Sequence, residues 1–186
     1  HTPISIDFDS FGRTWISSFQ AAGINVGLPN GGISMLDFIG EPFNPYSFSW
    51  NQIFTNGTVW SISLGNDDRL YYLTPSGLNY YDLKIGSNPV AGENLYPYFP
   101  NISFGSGSKI NIDFQGNIWI GSSSMGVYVL RENTSYWPNI NGLNESNSYL
   151  LSNEIRDIEF DHQRNLVYIS TSKGVSVLKI PYGVPK

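Results

Sequence analysis

The chain is predicted to be all-β, a β-propeller segment of four four-stranded antiparallel blades, and three observations lead there. One strand–turn–strand–loop–strand unit recurs four times, anchored on Trp15, Tyr71, Trp119 and Tyr168 at spacings of 56, 48 and 49 residues. Aromatic residues make up 15% of the chain, a heavy load for its 186 residues. No segment shows helical periodicity, whereas alternation with period two is frequent.

The third copy, residues 109–133, shows the unit most clearly. Ile110, Ile112 and Phe114 alternate with polar residues, as in a half-buried strand. Gln115-Gly116-Asn117 supplies the turn, and Ile118-Trp119-Ile120 is a β-branched and aromatic second strand. A small-residue loop, 122–125, leads through Gly126 to a third strand, Val127-Tyr128-Val129-Leu130. The other copies span 4–28, 59–83 and 155–180, with Gly23, Gly77 and Gly174 expected to lead their third strands. In the first copy the weaker apolar run Ile33 to Ile39 reads as a fourth, outer strand. These units set blades at roughly 1–55, 56–105, 106–152 and 153–186, within one propeller region covering 1–186. A narrow sheet cannot bury both faces alone. Stacking blades face to face buries them, and large rings fill the wedge between them.

Composition excludes several function classes. Charged residues are only 13% and the formal net charge is −5, with no Lys/Arg cluster, so a nucleic-acid partner has no electrostatic footprint here. No apolar run reaches the roughly 18 residues of a membrane-spanning helix, so membrane insertion is not expected. The absence of cysteine rules out disulfides, thiolate metal sites and a Cys nucleophile. Only His1 and His162 are present, no G-x-S-x-G elbow or H-x-x-x-H pair occurs, and the glutamates are scattered through connecting segments. No catalytic residue, cofactor or metal ligand is therefore assigned.

The D-x-x-G stretches, Asp9 to Gly12 and Asp113 to Gly116, invite a metal-loop reading. A calcium loop needs oxygen ligands at alternate positions, and Phe11 occupies one of them. A turn accounts for both: Asp accepts backbone N–H groups and glycine takes a positive φ. In a propeller this first turn lies opposite the face that usually holds ligands. Ligand chemistry is sought instead in the aromatic segments between copies, 42–52, 95–101 and 134–140. There Tyr46, Trp50, Tyr98 and Trp137 stand beside Asn and Ser, a pairing that suits a glycan or peptide, although such rings also serve as packing.

The repeat resembles the two-component-regulator-type propeller repeat of bacterial sensors and exported proteins. In copy three the resemblance runs through Asp113, Gly116, Trp119-Ile120-Gly121-Ser122 and Gly126-Val127; in copy one through Asp9, Gly12, Trp15-Ile16 and Gly23-Ile24. Copy four keeps Asp161, Tyr168 and Gly174 with one extra turn residue, and copy two replaces the turn with Asn66-Asp67-Asp68. The ending also resembles the last blades of exported propellers of the Por-secretion type. The resemblance implies a periplasmic or extracellular, non-catalytic binding or scaffold module, with an envelope protein among its possible partners. A propeller-hosted lyase or hydrolase acting on polysaccharide, or a structural spacer, are the alternatives. Since the family uses about seven blades, four imply part of a larger ring, or a half-ring that associates with itself through open blade edges.

Overall fold

A computed structural model describes residues 2–19, 31–38, 48–54, 57–83, 90–91, 98–100 and 102–180; at positions 38, 48, 50, 54, 90 and 91 it describes the backbone alone. The chain divides into two compact units, His1–Ser103 and Phe104–Lys186. Each holds two antiparallel sheets, and no helix occurs among the described residues.

In the first unit, blade 1 is β1 (Thr2–Phe8), β2 (Thr14–Phe19), β3 (Gly32–Phe38) and β4 (Phe48–Phe54), in that spatial order. Blade 2 follows as β5 (Ser61–Leu64), β6 (Arg69–Thr74), β7 (Gly77–Asp82) and β8 (Val90–Ala91). In the second unit, blade 3 is β9 (Lys109–Ile112), β10 (Ile118–Gly121), β11 (Val127–Leu130) and β12 (Tyr136–Trp137). Blade 4 has three described strands, β13 (Ile155–Asp161), β14 (Leu166–Thr171) and β15 (Gly174–Lys179). Every sheet is a meander, as short hairpin connections require.

One strand assignment in blade 1 is corrected. The run after Ile33 is the third strand, not the fourth: Trp15 pairs with Met35 and Ser17 with Ile33. Strand β4 then takes the outer position, pairing with β3. The reason is burial. Ile33 and Met35 are 0% and 5% exposed on the face that carries Trp15, so this register hides both. Gly23, expected to lead the third strand, lies outside the described residues, and Gly32, at φ +108°, leads it.

Each blade has two apolar faces of different composition. Residues directly opposite in register share a face. One face, the anchor face, carries Trp15, Tyr71, Trp119 or Tyr168 together with the alternate residues of the third strand. The other, the inner-strand face, carries Ile6 and Phe8 in blade 1, Ile62 and Leu64 in blade 2, Ile110 and Ile112 in blade 3, and Ile158 and Phe160 in blade 4. Within each unit the anchor face of the earlier blade packs on the inner-strand face of the later one. Trp15, Ile33 and Met35 join Ile62, Leu70 and Tyr72 in one core. Trp119, Val127 and Val129 join Ile158, Val167 and Ile169 in the other, where Trp119 meets the Phe160 ring edge-on at 5.7 Å. Fully burying each such aliphatic side chain contributes about 1.5–3 kcal/mol.

Polar groups on the innermost strands tie the blades of a unit together. Ser5 Oγ accepts the Ile62 N–H at 3.0 Å and Asp7 Oδ2 accepts the Leu64 N–H at 2.8 Å. In the second unit the Asn111 amide donates to the Ile158 carbonyl. Such side chains satisfy backbone groups on a strand edge that has no ladder partner.

Two glycines of blade 3 separate strain from crowding. Gly116 has φ +82° and open space, its nearest neighbour being Glu132 Cγ at 3.9 Å. Gly126 has φ +97°, and a Cβ there would lie 2.1 Å from the Leu143 carbonyl oxygen. Gly116→Ala is expected to cost about 1–2 kcal/mol, the left-handed penalty alone. Gly126→Ala must also move backbone and is expected to cost clearly more, or to prevent folding. Chemical denaturation of the two variants checks this ordering, and equal costs would contradict it.

Candidate functional site

The D-x-x-G turns are densely hydrogen-bonded, and the bonds described close the hairpin or hold the ring that follows it. In blade 3 the Asp113 N–H donates to the Asn117 carbonyl (3.0 Å) and the Gly116 N–H to the Asp113 carbonyl (2.9 Å). That is a three-residue hairpin loop closed by a left-handed glycine. The Asp113 carboxylate is 1% exposed. Its Oδ1 accepts from the Gln115 and Asn117 N–H groups, each at 3.0 Å, while Oδ2 accepts from the Asn117 amide at 2.9 Å and the Trp119 indole N–H at 3.0 Å. Blade 1 repeats the arrangement. Asp9 accepts from the Phe11 and Arg13 N–H groups, from Arg13 Nε at 2.6 Å and from the Trp15 indole N–H at 2.9 Å. These carboxylates accept from backbone, indole, amide and guanidinium donors of their own hairpins. Among the described residues, no group of three or more His, Asp or Glu could hold a metal ion.

Blade 2 reaches the same result with different residues. Gly65 stands where the other turns have Asp, and its N–H donates to the Arg69 carbonyl at 2.8 Å. A Cβ on Gly65 would lie 2.3 Å from Asp67 Oδ1, so the missing side chain makes room for the Asp67 carboxylate to fold back. Asp67 Oδ2 then accepts the Tyr71 hydroxyl at 2.8 Å, replacing the aspartate–indole bond. Asp68, at φ +56°, takes the left-handed position that glycine holds elsewhere. In blade 4 Asn165 takes it at φ +56°, and Asp161 bonds Arg164 while Tyr168 remains half-buried.

Four rings were expected to face a ligand, and the structure describes the side chains of two of them, Tyr98 in the first unit and Trp137 in the second. Tyr46 and the Trp50 side chain lie outside that description; the backbone of Trp50 is on β4, opposite Leu36. Tyr98 forms an isolated bridge with Leu78 and stacks its ring on Tyr80 at 6.3 Å. Tyr80 in turn carries the Arg69 guanidinium at 4.6 Å. Trp137 sits on outer strand β12, not in a crossover loop, with its ring 6.0 Å from Trp119. Strand pairing of Tyr136 and Trp137 with Leu130 and Val129 accounts for that placement.

Two features were missed in the sequence. The first is a cavity of about 370 Å³ in the first unit, lined by Gly57, Thr58, Tyr72, Thr74, Pro75, Ser76 and Asn79. It lies at the end of blade 2 bearing the β6–β7 turn, away from the β5–β6 turn. Among the described residues its wall is formed by three hydroxyl residues, one amide, a tyrosine, a proline and a glycine, none of them charged. The Thr74 and Ser76 hydroxyls are 2.9 Å apart, and the Thr74 hydroxyl accepts the Ser76 N–H at 3.3 Å, which fixes the rim. The Tyr72 ring stacks on Tyr81 at 5.2 Å, and their hydroxyls are hydrogen-bonded. Tyr72 and Thr74 stand at repeat positions, where copy three has Ile120 and Ser122, but nothing in the repeat marks them, or Thr58, Ser76 and Asn79, as lining a cavity.

The second is the segment from 139 to 153 in the second unit. Glu145 and Asn153 bond each other reciprocally, each backbone N–H donating to the other's side chain, at 2.7 and 2.8 Å. The Asn153 N–H, helped by Lys173, holds the Glu145 carboxyl below its usual range. Asn147 Oδ1 caps the Asn144 N–H at 2.8 Å, and its amide donates to the Gly142 carbonyl. Tyr149 is fully exposed on this stitched loop and Leu151 is 47% exposed.

No protein-family model and no curated protein matches the chain. Solved structures do. PorZ, a surface component of the type-IX secretion system of Porphyromonas gingivalis, superposes with TM-score 0.74 at 18% identity, covering 96% of this chain and 26% of PorZ. The extracellular domain of the one-component system BT4673 of B. thetaiotaomicron gives 0.62 at 17% identity, over 100% of this chain and 22% of that one. A Xanthomonas campestris gluconolactonase, XC5397, gives 0.59 at 13% identity over 96% of this chain and 57% of that one. The chain thus spans about a quarter of PorZ and about a fifth of BT4673. At these identities the likeness concerns the fold alone, and that fold is an all-β propeller segment.

A double-mutant cycle with Asp113→Asn and Trp119→Phe is expected to give a coupling of about 1.5–3 kcal/mol, the worth of a hydrogen bond to a buried carboxylate. The same cycle on Asp161 and Tyr168 is expected to give none; denaturant unfolding of the variants measures both. Burial first, then the Asp67 hydrogen bond at Tyr71 and the neighbouring Tyr81 at Tyr72, push both phenols well above their ordinary 10.0. The folded state therefore keeps protons that the unfolded chain releases. Stability should hold below about pH 10 and fall as pH rises further, with these tyrosines ionising only as the chain unfolds. Tyrosinate absorbance and circular dichroism should then change together.

Proposed function

We propose that the chain is a non-catalytic binding module of an exported or periplasmic bacterial protein, of the sensor or envelope-scaffold kind, and that it recognises a neutral, hydroxyl-rich ligand such as a glycan. The observation that carries this reading is the wall of the blade 2 cavity. Thr58, Thr74, Ser76 and Asn79 offer short donors and acceptors without charge, and the Tyr72 and Pro75 rings give an apolar surface. A sugar presents the complementary pattern, hydroxyls at its rim and C–H groups on its faces. The cavity volume of about 370 Å³ accommodates one or two rings of a larger ligand. Location at the β6–β7 end also suits a propeller, where loops at that end vary without disturbing the repeat.

An exported location is supported by the neighbours: PorZ is a bacterial surface component and the BT4673 portion is an extracellular domain. A peptide or protein partner has separate support in Tyr149 and Leu151, apolar groups displayed on a loop whose ordering cost is already met by its own hydrogen bonds.

The test is a panel of neutral oligosaccharides and unmodified peptides, titrated calorimetrically against the wild type, Asn79→Ala and Tyr149→Ala. A glycan that binds the wild type and at least tenfold more weakly the Asn79→Ala variant supports the cavity reading. Binding of peptides alone, weakened by Tyr149→Ala, moves recognition to the loop. Absence of binding throughout contradicts the module reading, and chemical turnover of any bound sugar or lactone replaces it with an enzymatic one.

A further inference from the structure

The hydrogen bonds around the blade 2 cavity fix what its polar side chains have left to offer a ligand. The Thr74 hydroxyl is spent: it donates to the Gly77 carbonyl at 3.2 Å and accepts the Ser76 N–H at 3.3 Å. Blade 4 repeats this turn with a lysine in place of the serine. There Thr171 donates to the Gly174 carbonyl at 2.8 Å and accepts the Lys173 N–H at 3.2 Å. With the Thr74 proton on Gly77, the 2.9 Å pair between Thr74 and Ser76 takes its proton from Ser76. The Ser76 oxygen therefore keeps only a lone pair for a ligand. Asn79 is half-buried on β7, opposite Tyr72 in register. Among the described residues none hydrogen-bonds its amide, so both donor and acceptor are open. The Tyr72 hydroxyl is bonded to Tyr81, and the Tyr72 and Pro75 rings add apolar surface.

We infer that the cavity reads an acetamido group, and so selects an N-acetylated amino sugar. The carbonyl and N–H of a secondary amide point in opposite directions, so one side chain cannot bond both. Two wall residues divide the task. Asn79 Nδ2 donates to the acetamido carbonyl, the Ser76 oxygen accepts its N–H, and the methyl lies on the Tyr72 and Pro75 rings. A sugar with hydroxyls alone fits less well, because each buried hydroxyl needs partners for its proton and its lone pairs. The methyl of an acetamido group needs neither. A deacetylated sugar carries an ammonium, for which no described wall residue supplies a counter-ion. The assignment rests on the cavity as the binding site of a neutral glycan and adds the group by which that glycan is chosen.

Calorimetric titration of the 186-residue chain with paired disaccharides, of gluco and of galacto configuration, provides the test. The members of a pair differ only in carrying an acetamido group or a hydroxyl at the second carbon. In at least one pair the acetamido member is expected to bind about tenfold more tightly, the worth of one or two hydrogen bonds. Asn79→Asp keeps the side chain's size and removes the donor, while Ser76→Ala removes the acceptor. Each variant is expected to bring the two members to within about twofold of each other, with circular dichroism unchanged. Equal affinity of wild type for both members overturns the inference and leaves the cavity reading standing. A preference that both variants retain also overturns it, because the group is then read elsewhere. So does an unmodified peptide that displaces the sugar at equal concentration. If no disaccharide binds, the inference falls, and the wider oligosaccharide panel decides the reading beneath it.

Discussion

A tryptophan on the flat side of a narrow sheet brings a large apolar surface and one N–H that must not be buried unpaired. The structure meets both demands with one carboxylate. Asp9 and Asp113 each hold the two ends of a hairpin loop and the indole six residues on. The turn thereby sets where the ring lies, and the ring sets how the next blade packs. Trp119 is the largest side chain of a core otherwise built from Val, Ile and Leu of two blades. Loss of that carboxylate would loosen turn, ring and junction together. This is why an acidic, conspicuous motif serves architecture and leaves ligand chemistry to be sought elsewhere.

The same constraint explains the variation between blades. Blade 2 has no aspartate at the first turn position and a tyrosine at the anchor, and both changes belong to one substitution of the device. Gly65 vacates space, Asp67 fills it, and the Tyr71 hydroxyl reaches the relocated carboxylate. Arg69 then bridges Asp67 and Asp82, with its guanidinium over the Tyr80 ring, as Arg13 bridges Asp9 with its guanidinium beside Trp15. In blade 4 no described hydrogen bond joins a carboxylate to Tyr168: Asp161 bonds Arg164, and Tyr168 is half-buried.

Repeat spacing and the alternation around Trp119 made the fold class legible, because period-two burial and a left-handed turn glycine leave direct marks in residue type. Three other features did not. The connection between β2 and β3 is long, so proximity to Gly23 suggested a third strand that burial of Ile33 and Met35 places later. The carboxylate switch in blade 2 depends on a backbone gap at Gly65, which no single residue type signals. The hydroxyl-lined cavity is assembled from Thr58 on a crossover and Tyr72, Thr74 and Asn79 on neighbouring strands, positions brought together only by pairing. The aspartate-to-tryptophan spacing of six residues was visible in copies one and three, and hairpin geometry turns that spacing into a contact.

Hydrogen exchange of the indole N–H groups tests the central claim most directly. If a buried carboxylate holds the ring in each junction, the Trp15 and Trp119 indole protons are released only when their unit unfolds, and they exchange as slowly as the most protected backbone amides of β2 and β10. Exchange of either indole on the timescale of a free, solvated tryptophan, with the strand amides still protected, would contradict it.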